Sequence, residues 1–311
     1  MEFRQLGDSD LRVSEICLGT WTTFGGSLAD DAARELVDVA FELGINFFDT
    51  ANVYSEGRSE EVLGQALASR PRDSCIVATK VFAPAPDGGR GLSREQILKQ
   101  IDASLARLGM DFVDLYQCHS YDDDVPLEEQ LGALTEVVEA GKARYIGVSN
   151  WSGEQIRDAV GLARERGFAK IVSSQPEYSL LEREPEEDVI PASRENGVSQ
   201  IPYSPLAQGV LTGKYAPGAT ADEGTRASAR SQWMQLYRDD VLERVQRLRP
   251  IADHLGLSVA QLSLAWILRE PNVASPIIGA SRPDQLRDNA GASGVTLDDA
   301  TLRAIDDALA A

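Results

Sequence analysis

The feature that most constrains this chain is an alternation that runs from end to end. Short apolar runs are separated by amphipathic stretches. The runs are ICLGT (16–20), INFFDT (45–50), CIVATK (75–80), VDLYQCH (113–119), YIGVSN (145–150), IVSSQ (171–175), VSQIPYS (198–204) and ASPIIGA (274–280). Each has the length and flanks of a strand. Between them apolar residues recur at helical spacing. Leu36, Ala40 and Leu43 follow Asp30, a candidate cap. Ile97, Ile101, Leu105 and Leu108 follow the capping box SREQ (93–96). Leu127, Leu131, Leu134 and Val138 run towards a stop at Gly141, and Leu264 and Ile267 follow the capping box SVAQ (258–261).

Eight strand–helix units in 311 residues, with no linker, predict one α/β domain over residues 1–311. Its form is a (β/α)8 barrel, with a doubly wound open sheet as the alternative. The opening EFRQLGDSDLRVSEI predicts a β-hairpin turning near Gly7 and Asp8. An additional C-terminal helix is expected over roughly 297–309. The long irregular stretch 206–240, after the seventh run, has the length of a functional loop.

Charge narrows the partners. The chain carries 49 acidic and 30 basic residues, a formal charge of -19. Such a surface repels phosphate backbones and anionic bilayers, so neither nucleic acid nor membrane is an expected partner. Any anionic ligand must be held by helix N-termini, backbone N–H groups or a few placed cations. Cys17, Cys75 and Cys118 lie in or beside apolar runs without metal-ligand spacing. They predict buried reduced thiols, no metal centre and a cytoplasmic setting. No leader-like segment or long apolar run occurs.

Polar residues stand where the apolar runs stop: Asp49, Lys80, His119, Ser149 with Asn150, Gln175, and Tyr203 with Ser204. In a barrel these positions form the C-terminal rim, where active sites lie. Tyr54 sits on the loop after the second run. A lysine beside a tyrosine is expected to lower the phenol's pKa, and an aspartate keeps the lysine charged and aimed. The histidine can hydrogen-bond a substrate oxygen or relay a proton. Together they make a general acid–base able to work at neutral pH.

No GxGxxG follows an early strand, so a dinucleotide would have to be held by the rim itself. Ser149, Asn150 and Gln175 can hold a carboxamide, and Tyr203 can stack on a planar ring. LAQGVLTGK (206–214) offers backbone donors and Lys214 for a pyrophosphate. GASRPDQLRDN (279–289) carries Ser281, Arg282, Gln285, Asp288 and Asn289 at a helix start that favours phosphate. Gly19, Thr20, Trp21, Ser204, Pro205, Leu206, Gly209, Leu211 and Gly279 are counted with this cofactor rim. Trp21, Phe24, Phe82, Tyr121, Trp151 and Trp233 are candidates for an apolar substrate pocket.

At these residues the chain resembles the aldo-keto reductase superfamily over nearly its whole length. The segments that carry the resemblance are FDTANVYSEGRSEEVLG, VATK, DLYQCH, GKARYIGVSN, QPEYSLL, YSPLAQGVLTGKY and IIGASRPDQLRDN. The last three are most similar to the branch of bacterial general reductases and potassium-channel β subunits. The resemblance implies a catalytic tetrad of Asp49, Tyr54, Lys80 and His119, with Tyr54 donating a proton to a carbonyl oxygen. It implies hydride supply from NADPH, stacked on Tyr203, with its amide on Ser149, Asn150 and Gln175. Ser281, Arg282 and Gln285 would meet the 2′-phosphate, and Asp288 and Asn289 the adenine. Where several members carry a Lys-Ser pair and an arginine, this chain has Gly279-Ala280 and Gln285, which leaves NADH as the lesser alternative. The expected substrate is a small carbonyl compound.

Taken singly, each of these residues has a plainer reading. Asp49 would be a turn residue, Lys80 a surface charge, His119 a core histidine and Tyr54 a loop aromatic. Their joint placement on successive rim loops favours chemistry. The alternative functions are a cofactor-sensing regulatory subunit of low turnover and a phosphate-binding barrel isomerase. His254, the second histidine, and Cys118 are expected to be structural.

Overall fold

The computed structural model describes all residues except 85, 87, 220–235 and 311. Strands β1 (Phe3–Gln5) and β2 (Arg12–Ser14) form an antiparallel hairpin. The barrel strands are β3 (Cys17–Gly19), β4 (Phe47–Asp49), β5 (Ile76–Val81), β6 (Val113–Cys118), β7 (Ala143–Ser149), β8 (Ile171–Gln175), β9 (Ser199–Gln200) and β10 (Ile277–Ile278). They pair in parallel in the order β10-β3-β4-β5-β6-β7-β8-β9. The two ends of the sheet meet: Ala274 N donates to Gln200 O at 2.8 Å, and Ile277 N to Pro202 O at 2.8 Å. All eight expected runs are strands of this barrel.

β9 and β10 are shorter than the apolar runs that contain them. Pro202 and Pro276 lie inside those runs, and a proline nitrogen donates nothing to a ladder. Their carbonyls still accept, which keeps the seam joined.

Helices α1 (Asp30–Glu42), α2 (Arg58–Leu67), α3 (Arg94–Leu108), α4 (Leu127–Glu139), α5 (Gly153–Arg166) and α6 (Val189–Glu195) each follow one strand. α7 (Asp239–Gln246), α8 (Arg249–Leu255) and α9 (Val259–Leu268) lie between β9 and β10, and α10 (Pro283–Ala290) and α11 (Asp299–Ala310) close the chain. Capping follows the residues. Ser258 and Gln261 complete a reciprocal box, Ser93 accepts from Gln96 N, and Ser152 with Gln155 forms a second full box that the periodicity did not single out. Asp30 is the first residue of α1, after Ala29, and favours the positive helix end by charge.

Strand alternation sorts the side chains. Phe47, Ile76, Ala78 and Leu115 point into the barrel. Phe48, Val77, Val81, Tyr116 and Cys118 point outwards into the shell of helices. The hairpin closes the bottom: Leu6, Leu11 and Val13 pack on Cys17, Phe47 and Ile201. Gly7 makes this approach possible. Its φ is +51°, and a Cβ there would lie 2.3 Å from the Val172 carbonyl. Asp49, Lys80 and Gln117 stand on the inward side of their strands, one step above this apolar fill. Among the described residues no single helix is long and apolar enough to cross a membrane.

Two helical glycines respond oppositely to a methyl group. A Cβ at Gly64 would lie 2.1 Å from the Leu108 carbonyl where α2 meets α3, whereas at Gly161 nothing lies within 4 Å. Gly161→Ala should stabilise by about 1 kcal/mol through helix propensity. Gly64→Ala should destabilise by about 1–3 kcal/mol because backbone must move. Urea denaturation of the two variants checks the pair.

Candidate active site

The site is built where inward strand positions run out of apolar residues. Lys80, on β5, is fully buried, and Asp49, on neighbouring β4, is 2 % exposed. A buried ammonium is tolerated only when paired and hydrogen-bonded. Lys80 Nζ donates to Asp49 Oδ1 at 2.5 Å, to Thr50 O at 2.9 Å and to Tyr54 OH at 3.1 Å. Its three donors are thereby used. Tyr54 reaches it from the loop between β4 and α2. His119 follows β6 directly, and its N–H donates to Val81 O at 2.8 Å. The Tyr54 and His119 rings meet edge to face, with centroids 5.6 Å apart. The four residues thus form one cluster at the upper rim.

The electrostatics assign proton states. Burial acts to lower the Lys80 pKa, but the Asp49 charge and the phenol outweigh it and hold the ammonium above its ordinary value. Burial raises the Tyr54 pKa, the Lys80 ammonium opposes it, and the balance leaves the phenol above its usual range. This corrects the expectation that Lys80 brings the phenol down: in this site desolvation is the larger effect. Burial, and after it the Lys80 charge, lower His119 to about 3, so its imidazole is neutral at physiological pH. Its Nδ1 is buried without a partner. The cluster therefore holds a protonated phenol, a charged lysine and a neutral imidazole.

A second group of polar residues lies beside it. Ser149 Oγ donates to Gln175 O at 2.8 Å. Asn150, in the left-handed region at φ +58°, donates to His119 O at 3.0 Å and accepts from Tyr203 OH at 3.0 Å. Gln175 Nε2 donates to Asp49 Oδ2 at 3.1 Å. Burial and then Glu177 raise the Tyr203 pKa to about 12, so its ring stays uncharged. The described non-glycine residues with positive φ are Thr22, Ser55, Glu56, Phe82, Asn150, Ser204, Ala207 and Gln208. Every one lies in a loop leaving the C-terminal end of a barrel strand. Backbone strain that costs about 1–3 kcal/mol per residue concentrates at functional sites, and here it rings this rim.

The remaining rim residues fall into two sets. Gly209 has φ +98°, and a Cβ on it would lie 3.5 Å from Lys214 Nζ, so the ammonium stands beside a glycine turn. Gln285 Oε1 accepts from Ser281 N at 2.8 Å and Ser281 Oγ at 3.1 Å. Arg282 is exposed at the start of α10, next to Asp284. Gly279 is exposed and Leu206 and Ser204 are half-buried. By contrast Thr20, Pro205 and Leu211 are buried, and Gly19 is packed so closely that a Cβ would meet Ile277 at 2.5 Å. Those four can offer a ligand only backbone.

One assignment changes. Phe24 is fully buried in the main core and lines no pocket. Asp288 accepts from Ser258 Oγ at 2.9 Å, and its carbonyl accepts from Gln261 Nε2 at 2.8 Å. It fastens the cap of α9 to α10 and is engaged there. Asn289 is 5 % exposed and stays a candidate, as Gln175 and Ser149 do at 2 % and 1 %. Of the aromatic candidates, Trp21, Phe82 and Tyr121 are half-buried at the rim. Trp151 is buried against Tyr121, with ring centroids 4.8 Å apart, and its indole N–H has no partner. Trp233 lies outside the described residues.

The structure adds residues that the sequence reading passed over. Gln117 donates to Asp49 Oδ2 at 3.3 Å. Outside the barrel wall, Thr79 Oγ1 donates to Glu60 Oε1 at 2.5 Å, and Arg107 Nε to Glu60 Oε2 at 2.7 Å. Ser59 Oγ donates to Thr20 Oγ1 at 2.7 Å and lies 3.2 Å from Thr50 Oγ1. These contacts fix the start of α2, and with it the loop that carries Tyr54. Alternation within VDLYQCH would have pointed Gln117 inwards with His119.

A family model described as the aldo/keto reductase family matches residues 15–310. A protein from Arabidopsis thaliana named probable voltage-gated potassium channel subunit beta is 40% identical over 296 residues, 93% of this chain and 90% of its own. A protein of the same name from Oryza sativa subsp. japonica matches with the same identity and coverage. The match takes in every barrel strand and the whole Asp49–Tyr54–Lys80–His119 cluster, and on that ground the chain belongs to the aldo/keto reductase family.

Proposed function

We propose that this protein is an NADPH-dependent carbonyl reductase that converts aldehydes or ketones to alcohols, reversibly. The observation that carries the reading is the Lys80 ammonium, fully buried and shared between Asp49 and the Tyr54 hydroxyl. Such a group serves to supply a proton from Tyr54 to a neighbouring oxygen and to stabilise the phenolate left behind. Neutral His119 positions that oxygen with its ring N–H.

The residues fit a nicotinamide dinucleotide. Lys214 beside the Gly209 turn suits a pyrophosphate. Ser149, Asn150 and Gln175 suit the carboxamide, and uncharged Tyr203 suits ring stacking. Arg282 and Ser281, at the start of α10, suit a 2′-phosphate. When bound, the cofactor supplies hydride to the carbonyl carbon. Tyr121 and Trp151 form an aromatic wall that favours an apolar substituent on the substrate. The free thiols of Cys17, Cys75 and Cys118 support a reducing, cytoplasmic location.

A second reading has a specific observation behind it: both relatives named above carry the name of a channel subunit. A regulatory subunit would bind NADPH tightly and turn over slowly. Turnover below about one per minute with every aldehyde of a broad panel, together with a co-purifying partner, would favour it over the enzyme, whose kcat is typically 1 per second or more.

Three outcomes are expected. Tyr54→Phe should lower kcat about 10²-fold or more, while tryptophan quenching shows NADPH still bound; full activity refutes the proton-donor role. Because Tyr54 is raised above the ordinary phenol value of about 10 and His119 is neutral above about 3, carbonyl reduction should be flat from pH 6 to 9. Reduction should then decline as the phenol ionises, whereas alcohol oxidation, which needs the phenolate, should rise with pH. Arg282→Ala should raise the NADPH KM about tenfold and leave the NADH KM unchanged, since one ion pair to phosphate is lost.

A further inference from the structure

Asp49 has two carboxylate oxygens, and only Oδ1 serves Lys80. Oδ2 is met by two side-chain amides, Gln175 Nε2 at 3.1 Å and Gln117 Nε2 at 3.3 Å. Gln117 Oε1 in turn lies 3.5 Å from both Gln175 Nε2 and Ser173 Oγ, which donate to it. Asp49, Gln117 and Gln175 come from β4, β6 and β8, the alternate strands from which a layer of barrel filling is made. Gly147 on β7 makes the room. A Cβ there would lie 3.2 Å from Gln117 Cγ and 2.1 Å from Ser173 Oγ.

The two amides differ in what else they can reach. Gln175 stands with Ser149 and Asn150 at the place assigned above to a carboxamide, so a bound cofactor competes for its donor. Gln117 is fully buried, and among the described residues its amide hydrogen-bonds with Asp49, Gln175 and Ser173. A carboxylate held by one oxygen alone is free to turn about its broad terminal torsion. Turning would take Oδ1 off Lys80, whose other contacts, Thr50 O and Tyr54 OH, carry no charge.

We propose that Gln117 is a positioning residue for the carbonyl reduction: its donation to Asp49 Oδ2 keeps Oδ1 on Lys80, and so keeps the ammonium on the Tyr54 hydroxyl. The proposal rests on the reductase reading for its consequence in catalysis, but the hold on Asp49 is measurable without it. The groups that face the Tyr54 phenol are Lys80 from β5, Asp49 from β4, the neutral His119 ring after β6 and Tyr203 after β9. Loss of the Gln117 donor leaves Asp49 more negative and less fixed. Both changes disfavour the phenolate.

The test uses Gln117→Met, which keeps the shape and removes the donor, and Gln117→Glu, which sets a second carboxyl against Asp49. Ser173→Ala is the control, since it touches the Gln117 carbonyl oxygen without reaching Asp49. Tyr54 ionisation is followed without cofactor in a Gln175→Met background, where Gln117 is the one amide left on Asp49 Oδ2, as tyrosinate absorbance at a fixed alkaline pH, taken as the difference from the same protein carrying Tyr54→Phe. Both Gln117 variants should yield less Tyr54 tyrosinate than that Gln175→Met parent, an upward shift of about one pH unit or less, the scale of one hydrogen bond. They should also lower kcat with carbonyl KM unchanged, and Ser173→Ala should do neither. Either variant that folds suffices. Unchanged tyrosinate yield and kcat in a folded Gln117 variant, with wild type reducing carbonyls, would overturn the proposal. Wild type that reduces no carbonyl while the tyrosinate shift is present would sink the reductase reading and leave the hold on Asp49 standing.

Discussion

The rim is organised around one buried charge. Lys80 sits inside a barrel whose lower interior is Phe47, Ile76, Ala78 and Leu115, a setting in which an unpaired ammonium would shed its proton. Asp49 prevents that, and the constraint then spreads. Asp49 must be held, which occupies Gln117 and Gln175. The third donor of the ammonium must be used, which fixes Tyr54 OH. The loop bearing Tyr54 must arrive at one height, which is what Ser59, Thr20 and the Glu60–Arg107 pair achieve from outside the wall.

The rest of the molecule makes that arrangement rigid. The hairpin plugs the opposite end of the barrel, and two separate helical cores flank it. One packs the first half of the helices on the strands. The other gathers α6 to α9 and α11 around Trp266, Tyr178 and the turn at Val210 and Leu211. The strained rim loops are supported by these packed elements, which is the condition under which such backbone persists. A family fold is thus adapted to place a protonated phenol beside a neutral imidazole in a desolvated pocket.

Much of this was readable from residue order. Strand and helix alternation gave the barrel because eight apolar runs and their helices leave few other ways to bury both faces of a sheet. Asp49, Lys80 and His119 were visible because each ends an apolar run. What escaped followed from distance in space. Desolvation of Tyr54 depends on the neighbours that close over it, so the direction of its pKa could not be taken from Lys80 alone. Asp288 had the chemistry to meet a ligand, yet its engagement with Ser258, thirty positions away, is a tertiary fact. Phe24 stands near the rim in sequence, but the turn after β3 folds it into the core. Gln117 was hidden by its place inside an apolar run, although period-two alternation pointed it inwards beside His119.

The central claim is that the cluster around Lys80 delivers a proton to a carbonyl oxygen while hydride passes from the cofactor to its carbon. The most direct measurement is label transfer. Wild-type protein is given an aldehyde and NADPH deuterated at the transferable nicotinamide position, and the alcohol is examined by mass spectrometry and NMR. The account predicts one deuterium, on the carbinol carbon, in every product molecule. Alcohol that carries no label there, or the absence of any alcohol, would contradict it.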